Sequence, residues 1–582
     1  MSAVLLAELK RRRVFRALVA YAIVVFAILQ VVEPIMHGLG LPDWTLSFVI
    51  VGLGLGFPIV LVFAWLFDIS STGVERTAPL QPEGAVRFGR ARLALLVPAM
   101  ALLAGAPAAV WYLGSRTGPM RARPSVSPLT ASVAVLPFVN MSRDKEDEYF
   151  SDGFTEEIIN ALANVEGVRV VSRTSAFAFK GKNLSIRKIA EELAVGSVLE
   201  GSVRREGSQL RIVAQLINAA DGYHLWSKTY DRQLDNVFAV EGELARSIAV
   251  ALRPQLLKGA LPAVQQPTSS MDAHDLYLKG RHHWNKRTGE DLRKAIALFQ
   301  QALDLDPAYA LAHAGLADSY LLLSEYSEAP PAEVIPKAKA HAFKAMELDG
   351  TLAEPHATLG LISANDYEWR TAEREYKRAI ELRPGYATAH HWYALLLTSQ
   401  ARFPEARAEA EQARQLDPAS RAINNMVGVV FLQSRDYDRA IDAFRKTMDL
   451  DPGFASAHEL LACAYLGAGR RAEALAELGP ATDSDFKHAA LRAWVLSEMG
   501  DLTAATRLLR DLEERSRRDH VDLGMLAALH VVTGDKNGAF ALLDKAYAER
   551  NWSLRDLKVS PVWDPLRSDP RFSGLLKRVN LD

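Results

Sequence analysis

Ala372-Glu-Arg-Glu-Tyr376-Lys-Arg-Ala379-Ile-Glu-Leu-Arg-Pro384 and Ala440-Ile-Asp-Ala-Phe444-Arg-Lys-Thr447-Met-Asp-Leu-Asp-Pro452 carry one pattern: a small residue, an aromatic four on, a small residue three further, then proline. Pro418 falls midway between Pro384 and Pro452, so one interval separates successive prolines. Spacings of four and three place the first three positions on one face of a helix. The proline ends it, because it has no N–H and its ring clashes with the preceding turn. Ala295, Phe299, Ala302 and Pro307 repeat the set upstream. Thr447 is the one departure from a small apolar third position. The first helices of the periods carry their own small-residue mark: Leu316-Ala317, Leu359-Gly360, Val427-Gly428 and Leu461-Ala462. Each period therefore reads as two antiparallel helices that cannot bury both faces alone. Stacking the pairs buries a continuous core.

The proline interval, about 34 residues per helix pair, is that of the tetratricopeptide repeat (TPR), and the segment 271–582 is identified as such an array. Five or six repeats are clear from 271 to about 480, with extra residues around Pro330-Pro331. Leu491–Leu512 and Leu523–Glu549 read as helix pairs without the full signature, and the tail Pro561–Phe572 as a cap on the last helix. In such a stack the first helix of each pair lines a concave groove. Asp318, His391, Thr398, Asn425 and Glu459 are polar positions on first helices, between apolar packing residues. They are the candidate partner-binding groove, fitted to an extended or helical peptide.

Upstream, the period changes. Ser132–Phe138 and Val168–Val171 are short apolar strands, and Phe150, Phe154, Ile158 and Leu162 mark one face of a helix over Glu148–Asn164. A second helix is expected over Ile186–Ala194. Ser197–Glu206 and Gln209–Asn218 alternate about Gly207-Ser208, a hairpin signature. Leu225–Tyr230 adds a strand, and Asn236–Leu252 a closing helix ended by Pro254. Segment 131–256 is thus a small α/β domain. The acidic loop Asn140–Glu148 leads into a helix N-terminus, where carboxylates are favoured by the dipole.

Ser-Val-Ala-Val-Leu-Pro-Phe (132–138), Tyr-Phe-Ser-Asp-Gly-Phe-Thr-Glu-Glu-Ile (149–158) and Val-Leu-Glu-Gly-Ser-Val-Arg (198–204) resemble the TolB-N/FlgO-like domain found before TPR repeats in bacterial membrane proteins. In that family the domain is often fused behind a cytoplasmic nucleotide-cyclase or winged-helix DNA-binding module and a membrane span. Here the stretch Met1–Arg16 ahead of the first apolar run is too short for either module, so neither activity is carried over.

Three apolar runs open the chain: about 17–36, 45–67 and 93–114. Each is long enough, at roughly 1.5 Å per residue, to cross a hydrocarbon core of about 30 Å, and three transmembrane α-helices are expected. Lys10, Arg11, Arg12, Arg13 and Arg16 precede the first run, and Arg76, Arg87, Arg90 and Arg92 lie between the second and third. Basic flanks stay cytoplasmic. The expectation is a multi-pass bacterial inner-membrane anchor with a cytoplasmic N-terminus and a periplasmic chain after about residue 115. Segment 116–130, with Pro119, Pro124 and Pro128, is a linker. The fold class expected is three transmembrane helices, a small α/β domain and an all-α solenoid.

The 582 residues carry 68 basic and 69 acidic side chains, a net charge of −1 that exerts no general pull on nucleic acid. One cysteine, Cys463, excludes an intrachain disulfide framework and any CxxC motif. There is no Walker loop, no HExxH and no Ser/His/Asp set at recognisable spacing. The pairs His282-His283 and His390-His391 point roughly 100° apart on a helix and form no metal face. No catalytic residue, cofactor or metal is expected. The reading is a membrane-anchored scaffold or signal-input protein whose α/β and TPR domains bind a protein partner. The alternative is an accessory or degenerate relative of a cyclase-type or transcriptional membrane sensor, with a ligand site in the α/β domain.

Overall fold

Second helices of the array end at Leu305, Leu382, Leu416 and Leu450, each two positions before the proline of its repeat. The aromatics Phe299, Tyr376 and Phe444 are fully buried between helices. A second device recurs at the same register. His356, His390 and His458 face Glu375, Glu409 and Glu477 through Nδ1 at 2.8, 2.6 and 2.6 Å. Nε2 of His390 and of His458 meets the carbonyls of Pro384 (3.0 Å) and Pro452 (2.8 Å). Asn424, the residue at that register in the repeat between them, donates to the Pro418 carbonyl at 2.8 Å. His390 and His458 thereby tie their first helices both to their own second helices and to the turn before.

The structure, a computed structural model, describes residues 131–165, 167–234, 237–252, 266–326, 329–479, 486–517 and 521–582. Ahead of these it describes two strands, β1 (Phe67–Ser70) and β2 (Gly73–Arg76), and a few isolated helical residues. β1 and β2 pair antiparallel, Phe67 opposite Arg76, in a unit separate from that of residues 128–582.

The expected fold class is corrected in its first part. Among the described residues no helix is long and apolar enough to cross a membrane. The longest, Pro331–Leu348, has 18 residues and carries Glu333, Lys337, Lys339, Lys344 and Glu347. At about 1.5 Å per residue it falls short of a bilayer core, and its charges need water. Phe67, the expected end of the second span, is extended strand. The remainder of 17–36, 45–67 and 93–114 lies almost wholly outside the described residues, as does the linker 116–130. The orientation drawn from the basic flanks falls on the same residues. The described architecture is a small α/β domain followed by a helical solenoid.

The α/β sheet runs β5 (Val168–Val170), β3 (Ala131–Val135), β6 (Ser197–Glu206), β7 (Gln209–Asn218), β8 (His224–Gln233), with β4 (Val139–Asn140) also on β6. β3 pairs parallel with β5 and β6, β4 pairs parallel with β6, and β6, β7 and β8 form an antiparallel meander. Glu206 faces Gln209 across the expected hairpin turn, where Gly207 takes φ 61°, a backbone that glycine adopts without cost. Alternation sends Val133 and Val135 to one face and Ala134 to the other. The first face is covered by α1 (Glu148–Ala163) and α4 (Val237–Leu252), the second by α3 (Ile186–Leu193). A short helix, α2 (Arg173–Phe177), was not expected. Asp144, in the acidic loop, accepts from Glu146 N at 2.8 Å and caps the turn leading into α1.

α1 and α4 are buried on both sides. Sheet residues beneath them and Tyr277, Phe299 and Tyr309 of the first repeats above them belong to one core. At the other end, the tail does more than cap the last helix. Trp369 Nε1 donates to the Val579 carbonyl at 2.7 Å and Tyr367 Oη to the Asn551 carbonyl at 2.8 Å. Arg435 grips Asp564 through both nitrogens, at 3.0 and 2.9 Å. Leu554, Leu557, Trp563 and Phe572 share a core with Leu396, Leu397, Met426 and Val430 of middle first helices.

Candidate functional site

The α/β domain meets the array along α1. Gly153 lets α1 approach the first array helix, Met271–Trp284: a Cβ there would stand 2.8 Å from Leu278 Cδ2. Polar pairs flank this contact. Tyr149 Oη donates to Asp275 at 2.6 Å, and Asp152 lies 3.7 Å from His282 Nδ1 and holds Lys180 at 2.5 Å. Glu156, 6% exposed, accepts from Arg281 Nε at 3.0 Å and Asn285 Nδ2 at 3.2 Å, and pairs with Arg173 at 3.0 Å. Burial, the largest influence on Glu156, pushes its carboxyl upward. The guanidinium groups of Arg281 and Arg173 outweigh it and hold the carboxyl below its ordinary value.

Glu157 is the next residue, roughly 100° around α1, and belongs to a different surface. With Glu241 of α4 it lines a cavity of about 1060 Å³ between α1, β5 and α4 on one side and the turns between repeats on the other. On the array wall Arg383 pairs with Glu354 and reaches Asn160 at 3.5 Å. Ala161, Val168, Phe238, Ala245, Leu311 and Leu352 supply apolar wall. Farther along, Ser172 N donates to the Leu416 carbonyl at 2.9 Å, and Ser175 Oγ donates to Asp417 at 2.5 Å while accepting from Ala419 N at 2.7 Å. The α/β domain thus contacts the array from the first repeat to the turn at Asp417.

Glu241 is 4% exposed and makes no hydrogen bond or ion pair among the described residues. Burial, and then the nearby Glu157, push its carboxyl well above the ordinary range. Burial and Glu156 raise Glu157 to about 7. A signal for Glu241 was present in the sequence. It stands in the stripe Val237, Glu241, Leu244, Ile248 at spacings of four, three and four, an acid on the apolar face of α4. For Glu156 and Arg281 there was none, since the pair is 125 residues apart.

The five groove candidates lie on four first helices. Asp318 is buried, accepts from the Thr358 hydroxyl, and is raised by burial to about 6. Thr398 is buried and donates to its own helix at Ala394 O, 2.7 Å. Asn425 is buried and donates to Ser456 on the next first helix at 3.2 Å, its Oδ1 without a partner. Glu459 is buried and paired with Lys487. His391 is half-buried, and burial lowers its imidazole to about 4. His391, Asn425 and Glu459 share one register, each a single repeat period from the next. The last two use it to join neighbouring first helices. Among the described residues, no group of three or more His, Cys, Asp or Glu could hold a metal.

Family models for the tetratricopeptide repeat match residues 281–334, 365–421, 396–455 and 431–495. The helical array is built of tetratricopeptide repeats. Residues 129–247, expected to resemble a TolB-N/FlgO-like domain, match the model of the second domain of HilA/YgeH-like transcriptional regulators. A putative adenylate cyclase of Rhizobium meliloti is 40% identical over 242 residues, 41% of this TPR chain and 41% of that protein. The transcriptional regulator HilA of Salmonella typhimurium is 24% identical over 327 residues, 55% of this chain and 56% of that one. The chain thus spans about half the length, or less, of these curated relatives. Among solved structures, a tetratricopeptide repeat protein from Parabacteroides merdae covers 45% of this chain and 99% of its own, at 15% identity and TM-score 0.34.

Proposed function

We propose that this TPR protein is a regulatory scaffold, in which the repeat array binds a protein partner and the α/β domain feeds a signal into it. The observation that carries the reading is the single core running from the sheet through α1 and α4 into Tyr277, Phe299 and Tyr309. Two elements packed as one body bias one another, so an event at the α/β domain reaches the array. The likeness to a putative adenylate cyclase and to a transcriptional regulator supports a place in signalling; neither activity is assigned to this chain. Of the groove residues, half-buried His391 is the one with surface left for a partner. The test is a photocrosslinking residue placed at His391 and, on the second helix of the preceding repeat, at exposed Glu381 in the full chain. A discrete crosslinked protein from His391, lost when Gly428→Leu disturbs the array, is expected. Crosslinks from Glu381 alone would move the partner to that surface, and none from either position would end the scaffold reading.

A further inference from the structure

We infer that the cavity between the α/β domain and the repeat array is a binding site for a small organic cation, an ammonium or guanidinium group on a short aliphatic body. Glu241 is the reason. A carboxyl that is 4% exposed is ordinarily paired or hydrogen-bonded, and among the described residues this one is neither. Neighbouring cations are committed elsewhere: Arg281 and Arg173 to Glu156, Arg383 to Glu354, and Arg169 of the lining to the Ala194 carbonyl. Arg246, at the cavity edge, is exposed to solvent. Glu157 joins Glu241 on the same lining and also has no hydrogen-bond partner among the described residues. Two carboxyls with no ion-pair partner among the described residues leave a position at which a cation is favoured over water.

The rest of the lining selects the kind of cation. A metal ion needs more ligands than two carboxyls, and no set of three is present among the described residues. Aliphatic and aromatic wall from Phe238, Ala245 and Leu311 disfavours a hydrated ion and suits a hydrocarbon chain. A volume of about 1060 Å³ is at the upper end of small-molecule pockets, typically about 300–1,000 Å³. Because α1 and α4 form one wall and the turns at Leu352 and Leu382–Gly385 the other, an occupant touches both the α/β domain and the array.

The experiment titrates the full chain calorimetrically with n-butylammonium chloride and n-butylguanidinium chloride, with n-butanol and sodium chloride as controls at constant ionic strength. At least one of the two cations should give a saturable one-site isotherm, and butanol none. Glu241→Gln should weaken binding at least tenfold, Glu157→Gln should also weaken it, and Glu192→Gln, on exposed α3, should not. The isosteric Glu241→Gln removes an unpaired acid, so its melting temperature should hold or rise. If it fails to fold, Glu157→Gln decides alone. No saturable binding of either cation, or equal binding by both Gln variants and the parent, overturns the inference.

Discussion

Gly360 lies against the ring of Tyr376: a Cβ at Gly360 would stand 2.7 Å from Cε1 and 2.8 Å from Cδ1. Tyr376 is fully buried, so the ring has no room to retreat. Gly428 and Phe444 stand in the same relation. The close crossing of the two helices within a repeat depends on this missing side chain. Gly360→Leu should lower stability by about 1–3 kcal/mol or more, because overpacking separates the helices. Thermal unfolding of the full chain measures it, and an unchanged melting temperature would place the repeat register elsewhere.

The Glu156 cluster should behave as a buried ion pair rather than a surface one. Glu156→Ala leaves Arg281 and Arg173 without their shared carboxylate, a loss of about 3–5 kcal/mol. Urea unfolding followed by tryptophan fluorescence is suited to it, since Arg281 stacks on Trp284 at 4.1 Å. A loss under about 1 kcal/mol is the surface value and would mean the cluster is open to water.

Asp318 should make stability fall with rising pH. Its carboxyl is raised to about 6 in the fold, chiefly by burial, against 3.8 when unfolded. The folded state therefore holds a proton that the unfolded state releases, and stability is lost as pH climbs from about 4 to about 6. Asp318→Asn keeps an acceptor for Thr358 and removes the titration. The variant should match the parent near pH 3.5 and exceed it by about 1–3 kcal/mol at pH 8. Parallel denaturant midpoints at both values decide it; a gap that does not grow with pH refutes the buried-acid assignment.

His458 also makes stability fall as pH rises, but by losing a favourable charge rather than by gaining a buried one. The Pro452 carbonyl first, then Glu477, raise its imidazole above the ordinary value. Its contribution is fully present below about pH 6.5 and fades as pH rises through the folded value. With the side chain 31% exposed, the pair contributes no more than about 1 kcal/mol. His458→Gln should cost stability at pH 5.5 and almost none at pH 9. An equal cost at both would mean that packing, not charge, makes the contact.

His391→Ala should weaken capture of the protein partner by about 5- to 150-fold, the loss of one buried polar contact, at an unchanged melting temperature. Asn425→Ala should instead cost stability, since its amide already serves Ser456. Binding left intact by His391→Ala excludes the groove.

The sequence alone determined the array. Its contacts are local: Gly360 meets Tyr376 within one helix pair, so spacing by itself placed them together, while the equally local His390–Glu409 contact, 19 residues apart, appears only in the structure. The hairpin about Gly207 and the face Phe150, Phe154, Ile158, Leu162 were legible for the same reason. Hydropathy could not settle the region ahead of Ala131, because an apolar run states how long a helix would be and not that a helix forms; Phe67 is strand. The groove residues show a further limit. A polar residue at helical spacing faces away from its own helix pair, and only stacking reveals that Asn425 and Glu459 are spent on neighbouring first helices. Tertiary structure alone decided the junction. Glu156 and Arg281 are separated by 125 residues and Ser175 and Asp417 by 242. No periodicity relates positions that far apart; they meet because α1 and α4, apolar on two faces, can bury the second only against the repeats. That same packing buries Glu241 at the cavity wall, without a partner among the described residues.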